Sequence, residues 1–199
     1  ILWLEAVRME NRFGNNKMAV LMLAKGIQNC RHSGLLWAEA IEMEPVPKKN
    51  PKCVQALQVC ENDPHVLVAV AKVFWHNRKY KNARNWFKRA VKVAPRFGDA
   101  WGWFYMFELQ RKSEKRDNTP VLVEKVEKVR PNTGEHWCSL AKHVENYNLT
   151  YTELLKLLAK QFANSESNVT KPSATATATA TTNNNNNNNN NKLQRKVES

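Results

Sequence analysis

Side chains able to bind a metal or attack a substrate are scattered along the chain. Five histidines and four cysteines occur among its 199 residues, and no two cysteines form a C-x-x-C pair. Cys53, Cys60 and His65 make a thin cluster, whose spacing is not that of a structural zinc site. Because the cysteines fall mostly within apolar helical patterns, we interpret them as small hydrophobic side chains of a reduced, intracellular protein. The sequence therefore predicts no metal site.

Motifs of nucleophilic or phosphate-transfer catalysis are missing as well. The chain contains no G-x-x-x-x-G-K, G-x-S-x-G or H-E-x-x-H pattern, and its six glycines are few for a phosphate-binding loop. The carboxylates recur at the spacing of a structural repeat, which favours hydrogen bonds between helices over acid–base catalysis. We therefore predict a protein that is not an enzyme and that binds neither a cofactor nor a small-molecule substrate.

Basic residues form the most unusual pattern in the sequence. The chain carries 31 Lys and Arg against 18 Asp and Glu, a formal net charge of +13, and no acid occurs between residues 64 and 98. Within that span, basic residues step by three and four along one predicted helix. We call them the basic stripe: Lys81, Arg84, Lys88, Lys92 and Arg96. The basic stripe is either a solvated face, as most such stripes are, or a site for RNA phosphate or an acidic protein segment.

The elements that position these side chains repeat along the chain. Trp3, Trp37, Trp101 and Trp137 each stand early in an apolar helical run, and Val68 takes the equivalent place between two of them. The spacings of 34, 31, 33 and 36 residues are typical of tetratricopeptide-like arrays with two helices per unit. We predict an all-α superhelix (solenoid) of about five helix pairs over residues 1–162. The predicted helices span residues 2–12, 16–30, 34–44, 50–61, 64–76, 80–94, 98–112, 119–130, 134–147 and 151–162.

Capping residues support several of these boundaries. An N-cap residue stands directly before a proline at three predicted helix starts: Asn50-Pro51, Asp63-Pro64 and Thr119-Pro120. Thr150 and Glu153 have the spacing of a capping box. The sequence begins inside an apolar pattern without an initiator methionine, so we expect a piece of a longer array.

Residues 163–199 have a different composition. Ala-Thr alternation from 173 to 182 leads into nine consecutive asparagines, Asn183 to Asn191. Such a sequence cannot bury enough apolar surface to offset its chain entropy, so we predict a disordered low-complexity tail. An inert tail is favoured over self-association of the asparagine run. The chain contains no run of about 18 apolar residues able to span a bilayer, so no membrane is expected as a partner.

The repeat units resemble two related families. One unit carries the eight signature positions of the tetratricopeptide repeat: Leu67, Val70, Ala71, Phe74, Ala83, Phe87, Ala90 and Pro95. The other units resemble the half-a-tetratricopeptide (HAT) pattern, with a tryptophan on the first helix, a downstream glutamate and a proline near the end of the second. The resemblance assigns structural roles to Trp37, Glu42, Trp101, Glu108, Pro131 and Trp137.

Longer segments resemble one spliceosomal family. Residues 33–41, 60–75, 82–87 and 98–110 are similar, in the same order, to the C-terminal region of the pre-mRNA-processing factor 6 family. The resemblance covers residues 1–162 and departs at 111–126 and in the tail. It implies a non-catalytic nuclear scaffold of the U4/U6.U5 tri-snRNP, whose superhelix bridges U5 proteins to U4/U6 proteins during assembly.

Two other functions stay open at this point. The basic stripe favours direct contact with small nuclear RNA, although the chain has no RRM or KH signature. A generic tetratricopeptide adaptor would instead bind peptide tails in its groove. Trp103 has no required place in the repeat motif. It is either an anchor for a protein partner or a cover for a neighbouring helix, and we favour the second interpretation.

Overall fold

The computed structural model describes residues 2–111 and 118–169. Over these residues the chain forms ten α-helices, one short 3₁₀ helix and no β-strand, which confirms the predicted all-α class. The helices are α1 (Leu2–Arg12), α2 (Asn16–Asn29), α3 (Gly34–Met43), α4 (Val46–Val59), α5 (Pro64–His76), α6 (Tyr80–Val93), α7 (Gly98–Gln110), α8 (Thr119–Val129), α9 (Glu135–Ala141) and α10 (Tyr151–Val169). The 3₁₀ helix spans Val144–Asn146.

The helices pack as a linear series of pairs. Each of α1, α3, α5 and α7 packs on the helix that follows it, and α3, α5, α7 and α9 each pack on the preceding odd-numbered helix. An amphipathic helix cannot bury its apolar stripe alone, so pairing and stacking produce a core that runs along the array. This is the arrangement of a helical-repeat solenoid, as the repeat period predicts.

The core consists of three clusters joined by shared side chains. Ile27 packs against the N-terminal cluster and the middle cluster. Leu57, Phe74 and Trp86 pack against the middle cluster and the cluster nearest the C-terminus. The cluster nearest the C-terminus contains Phe87, which has no exposed surface. Linked clusters are expected in a repeat array, because each unit buries its apolar face against its neighbours.

Two predicted helix starts are confirmed by their caps. The Asp63 carboxylate accepts a hydrogen bond from the His65 backbone N–H at 2.9 Å, and Pro64 is the first residue of α5. The capping box at α10 also forms: the Thr150 N–H donates to Glu153 Oε2 at 2.8 Å, and the Glu153 N–H donates to Thr150 Oγ1 at 3.3 Å.

The predicted start of α4 at Asn50-Pro51 is wrong. The helix begins at Val46 after Pro45, and Pro47 already occupies its first turn, where proline is favoured. Pro51 lies inside the helix on an exposed position. Proline has no backbone N–H, so one hydrogen bond of the helix is missing at this position, one turn after the helix begins.

The predicted helix over 134–147 is divided in two. It ends at Ala141, and a single 3₁₀ turn follows at Val144–Asn146. The Asn146 side-chain amide donates to the Leu140 carbonyl at 3.0 Å. This bond replaces the backbone N–H that the carbonyl would accept from if the helix continued.

The chain divides after Ala163 into two compact units. The first, Ile1–Ala163, holds the helical array described above. The second, Asn164–Ser199, is described over residues 164–169, which are helical. The helix α10 therefore extends seven residues beyond its predicted end at 162, since adding residues to an existing helix costs little. The rest of the predicted disordered tail lies outside the described residues.

Candidate functional site

The apolar signature residues of the repeats serve packing. Pro95 is exposed, and the others lie buried or half-buried: Trp37, Leu67, Val70, Ala71, Phe74, Ala83, Phe87, Ala90, Trp101, Pro131 and Trp137. Trp37 Nε1–H donates to the Arg31 carbonyl at 2.8 Å, and Trp101 Nε1–H donates to the Pro95 carbonyl at 2.7 Å. Each indole thus ties the start of one helix pair to the end of the previous pair.

A glycine stands three residues before three of these tryptophans, at Gly34, Gly98 and Gly134. A methyl group on Gly98 would overlap the Trp137 ring, and one on Gly34 would overlap the Asp63 carboxylate. Only a residue without a side chain allows so close an approach between units. The sequence analysis missed this role, although the repeated pattern G-x-x-W is present in the sequence.

Asp99 is a second structural residue that the sequence analysis missed. Its buried carboxylate accepts hydrogen bonds from the backbone N–H of Trp137 at 2.7 Å and of His136 at 3.2 Å. The side chain therefore caps α9 from the preceding odd-numbered helix. Burial raises the pKa of Asp99 above its usual range, and the two backbone hydrogen bonds oppose this shift.

Glu108 is a buried carboxylate held by two partners. Arg84 donates to it from Nε at 2.6 Å and from Nη2 at 3.0 Å, and Asn118 Nδ2 donates at 3.2 Å. Glu108 is 3% exposed, so these bonds compensate its desolvation. Glu42 makes a comparable pair at the surface, where its carboxylate accepts from Lys72 Nζ at 2.6 Å.

The basic stripe does not form one uniform surface. Arg84 points inward to Glu108, while Lys81, Lys88, Lys92 and Arg96 are exposed. Lys88 and Lys92 lie over a groove, whereas Lys81 lies near Arg78 and Tyr80 at the other end of α6. The five residues are therefore divided between an internal ion pair and separate exposed sites.

The groove beside Lys88 and Lys92 lies between α6, α7 and α8 and has a volume of about 630 Å³. Trp101, Phe104 and Leu122 are among the buried apolar residues that line it. We call it the α6–α8 groove. The sequence predicted its α6 wall as part of the basic stripe but did not predict that α8 lies opposite.

The half-buried Trp103 ring packs against an aromatic ring and a lysine. The Phe162 ring stacks on it with centroids 4.2 Å apart and an interplanar angle of 9°, and Lys72 Nζ lies 4.0 Å from the indole centroid. Stacking on Phe162 of α10 favours the interpretation that Trp103 covers a neighbouring helix. The anchor role stays a prediction.

An ion pair joins the first odd-numbered helix of the array to the last. Arg8 on α1 donates to both carboxylate oxygens of Glu135 on α9, at 2.7 and 3.0 Å. The two residues also line a cavity of about 200 Å³ together with Glu39, Lys72 and His65. The hydrogen bond from Arg8 lowers the pKa of Glu135, and burial raises the pKa of Glu39.

The Arg8–Glu135 pair makes stability depend on pH. Because the pKa of Glu135 is lower in the folded chain than in the unfolded chain, its contribution is fully present at neutral pH and is lost in acid, as the pH falls through the lowered pKa. We expect Glu135→Gln to lower the free energy of unfolding by up to about 1 kcal/mol at neutral pH. Denaturant titrations should show this difference shrinking in acid. If Glu135→Gln has the same effect in an Arg8→Ala background, Arg8 is not the partner responsible.

The four cysteines are free thiols in different surroundings: Cys53 and Cys60 are buried, Cys138 is half-buried and Cys30 is exposed. No group of three or more His, Cys, Asp or Glu side chains in residues 2–111 and 118–169 is placed to hold a metal ion. Cys53 is buried, which raises the pKa of its thiol to about 11, so little thiolate is present at neutral pH. Among the helices that the structure describes, none is both long and apolar enough to cross a bilayer.

The fold and these contacts define a helical-repeat protein whose signature polar groups hold helices together. Human pre-mRNA-processing factor 6 is 44% identical over 119 residues, 60% of this chain and 12% of that protein. Pre-mRNA-splicing factor prp1 of Schizosaccharomyces pombe is 39% identical over 156 residues, 78% of this chain and 17% of that protein. The predicted resemblance is confirmed: the chain is a relative of pre-mRNA-processing factor 6.

A more distant relative matches a similar share of the chain. Pre-mRNA-splicing factor 6 of Saccharomyces cerevisiae is 28% identical over 159 residues, 78% of this chain and 17% of that protein. The chain thus spans between 12% and 17% of the length of these relatives. No family model matches the chain.

Proposed function

We propose that this chain is part of a non-catalytic scaffold that acts in pre-mRNA splicing in the nucleus. In this proposal it helps to bridge proteins of the U5 and U4/U6 particles while the tri-snRNP assembles. The observation that carries the proposal is the identity of 39–44% to proteins named pre-mRNA-processing and pre-mRNA-splicing factors. A match of 156 residues must include most of the helical array, so the array is the part that would provide the binding surfaces.

The chemistry of the described side chains supports a scaffold over an enzyme. Glu108 and Asp99, the buried carboxylates, both accept hydrogen bonds that position helices. Cys53 is buried within an apolar cluster. A solenoid stacked in this way offers an extended surface for folded partners without large internal movement.

Co-purification from a splicing-competent nuclear extract tests the proposal. The tagged 199-residue chain is expected to retain proteins of both the U5 and the U4/U6 particles. A helical-repeat protein of the same net charge serves as the control for non-specific binding. Retention of neither set above this control would contradict the proposal.

Treatment with ribonuclease distinguishes a protein scaffold from a chain that binds RNA directly. Direct RNA binding is considered because members of the basic stripe are exposed. Protein–protein bridging predicts that the retained proteins survive the treatment. Their complete loss would favour a chain that acts by contacting small nuclear RNA.

A further inference from the structure

The α6–α8 groove combines an apolar interior with a basic rim. Trp101 and Phe104 are each 3% exposed and close its floor, and Leu122 is 5% exposed. Val121 on the α8 side lines the same groove and is 52% exposed. We call the apolar strip the four lining residues Trp101, Phe104, Leu122 and Val121, which are open to solvent mainly at Val121.

Three lysines surround this strip. Lys88 and Lys92 lie one helical turn apart on α6, and Lys125 lies on α8. All three are exposed, and none makes a salt bridge within the described part of the chain. Glu108 also lines the groove, but its charge is already neutralised by Arg84. The rim is consequently positive on both sides.

The interior argues against nucleic acid as the occupant. Single-stranded RNA binds through exposed aromatic faces on which bases stack. Here Trp101 and Phe104 are buried, and the Trp101 N–H already donates to the Pro95 carbonyl. A phosphate backbone would pair with the lysines but would leave the open apolar strip uncovered.

An acidic amphipathic helix of a partner protein fits both the apolar strip and the positive rim. Carboxylates one turn apart on such a helix would face Lys88 and Lys92, and apolar side chains between them would cover Val121. From the apolar strip and its positive rim, we infer that the α6–α8 groove binds an acidic amphipathic segment of a partner protein. The inference deepens the proposed function, on which it rests for the identity of the partner as a splicing protein.

Fluorescence anisotropy with the full chain tests this inference directly. The probes are three labelled acidic amphipathic peptides, whose apolar face carries leucine, phenylalanine or valine, and their scrambled versions. At least one amphipathic peptide is expected to bind more tightly than its scrambled version. Labelled single-stranded polyuridine serves as the RNA probe.

Charge reversal then locates the site. The combined variant Lys88→Glu, Lys92→Glu and Lys125→Glu is expected to weaken peptide binding by at least about tenfold. Reversal of three exposed lysines elsewhere, Lys17, Lys25 and Lys160, is the matched control and is expected to change binding much less. Circular dichroism checks that both variants keep their helical content.

Substitution of two equally exposed valines, one in the groove and one outside it, tests whether the apolar strip contributes to peptide binding. Val121 in the groove and Val20 on α2 are both 52% exposed, so aspartate at either position should affect folding to a similar small extent. Val121→Asp is expected to abolish the preference for the amphipathic peptide over its scrambled version, whereas Val20→Asp preserves it.

Three outcomes would overturn the inference. They are no binding by any of the three amphipathic peptides, equal loss in the groove and control variants, or tight binding of polyuridine alone. The extract experiment keeps the two proposals distinguishable. If the chain retains U5 and U4/U6 proteins but binds no peptide, only the inference about the α6–α8 groove is contradicted. If it binds peptide but retains neither set of proteins, only the proposed function is contradicted.

Discussion

Phe87→Ala is expected to lower the free energy of unfolding by about 3–5 kcal/mol, the largest effect predicted for a single core residue here. The Phe87 ring is fully buried, and its centroid lies 5.7 Å from that of Phe104 and 5.4 Å from that of Phe107. Removing it takes away apolar contact area and leaves a cavity between α6 and α7, since the surrounding rings can close only part of the space.

Denaturant unfolding followed by circular dichroism measures this effect. Phe13→Ala is the matched control, because Phe13 is 75% exposed and its removal should change stability by less than about 0.5 kcal/mol. An equal effect of the two substitutions would show that Phe87 does not lie in a packed core.

Glu108→Ala is expected to lower the free energy of unfolding by about 3 kcal/mol. The Glu108 side chain is 2% exposed and that of Arg84 is 26% exposed, so the substitution leaves a largely desolvated guanidinium without its carboxylate. Asn118 loses an acceptor as well. An unsatisfied buried charge costs more than the net value of the pair itself.

A double-mutant cycle separates this pair from general packing loss. Arg84→Ala in the Glu108→Ala background should cost much less than Arg84→Ala alone, because the charge left unpaired is then removed. Glu124→Ala provides the surface control: its pair with Lys128 lies on side chains that are 65% and 72% exposed, where solvent screens the attraction, so its loss should change stability little. Additive effects at residues 84 and 108 would contradict the ion pair.

Most of the fold follows from local patterns in the sequence. Apolar residues at helical spacing, and a period near 34, identify the helix pairs without any distant contact. The caps at Asp63 and Thr150 are equally local, because donor and acceptor lie within three residues of each other. Predictions failed where two local signals competed, as at α4, where Pro47 rather than Pro51 marks the first turn.

The candidate sites depend on contacts that no local pattern contains. Spacing along α6 identifies the basic stripe, but the partner of Arg84 lies 24 residues away on the next helix. Asp99 likewise caps a helix that begins 36 residues later in the chain. The α6–α8 groove requires the position of α8 relative to α6, which follows from packing between units.

Crosslinking mass spectrometry on the assembled tri-snRNP most directly tests the central claim that this helical array is a bridging scaffold. With the chain incorporated, its lysines are expected to form crosslinks to U5 proteins and to U4/U6 proteins within the same particle. Crosslinks to proteins of only one of these particles, or to none of them, would contradict the bridging role.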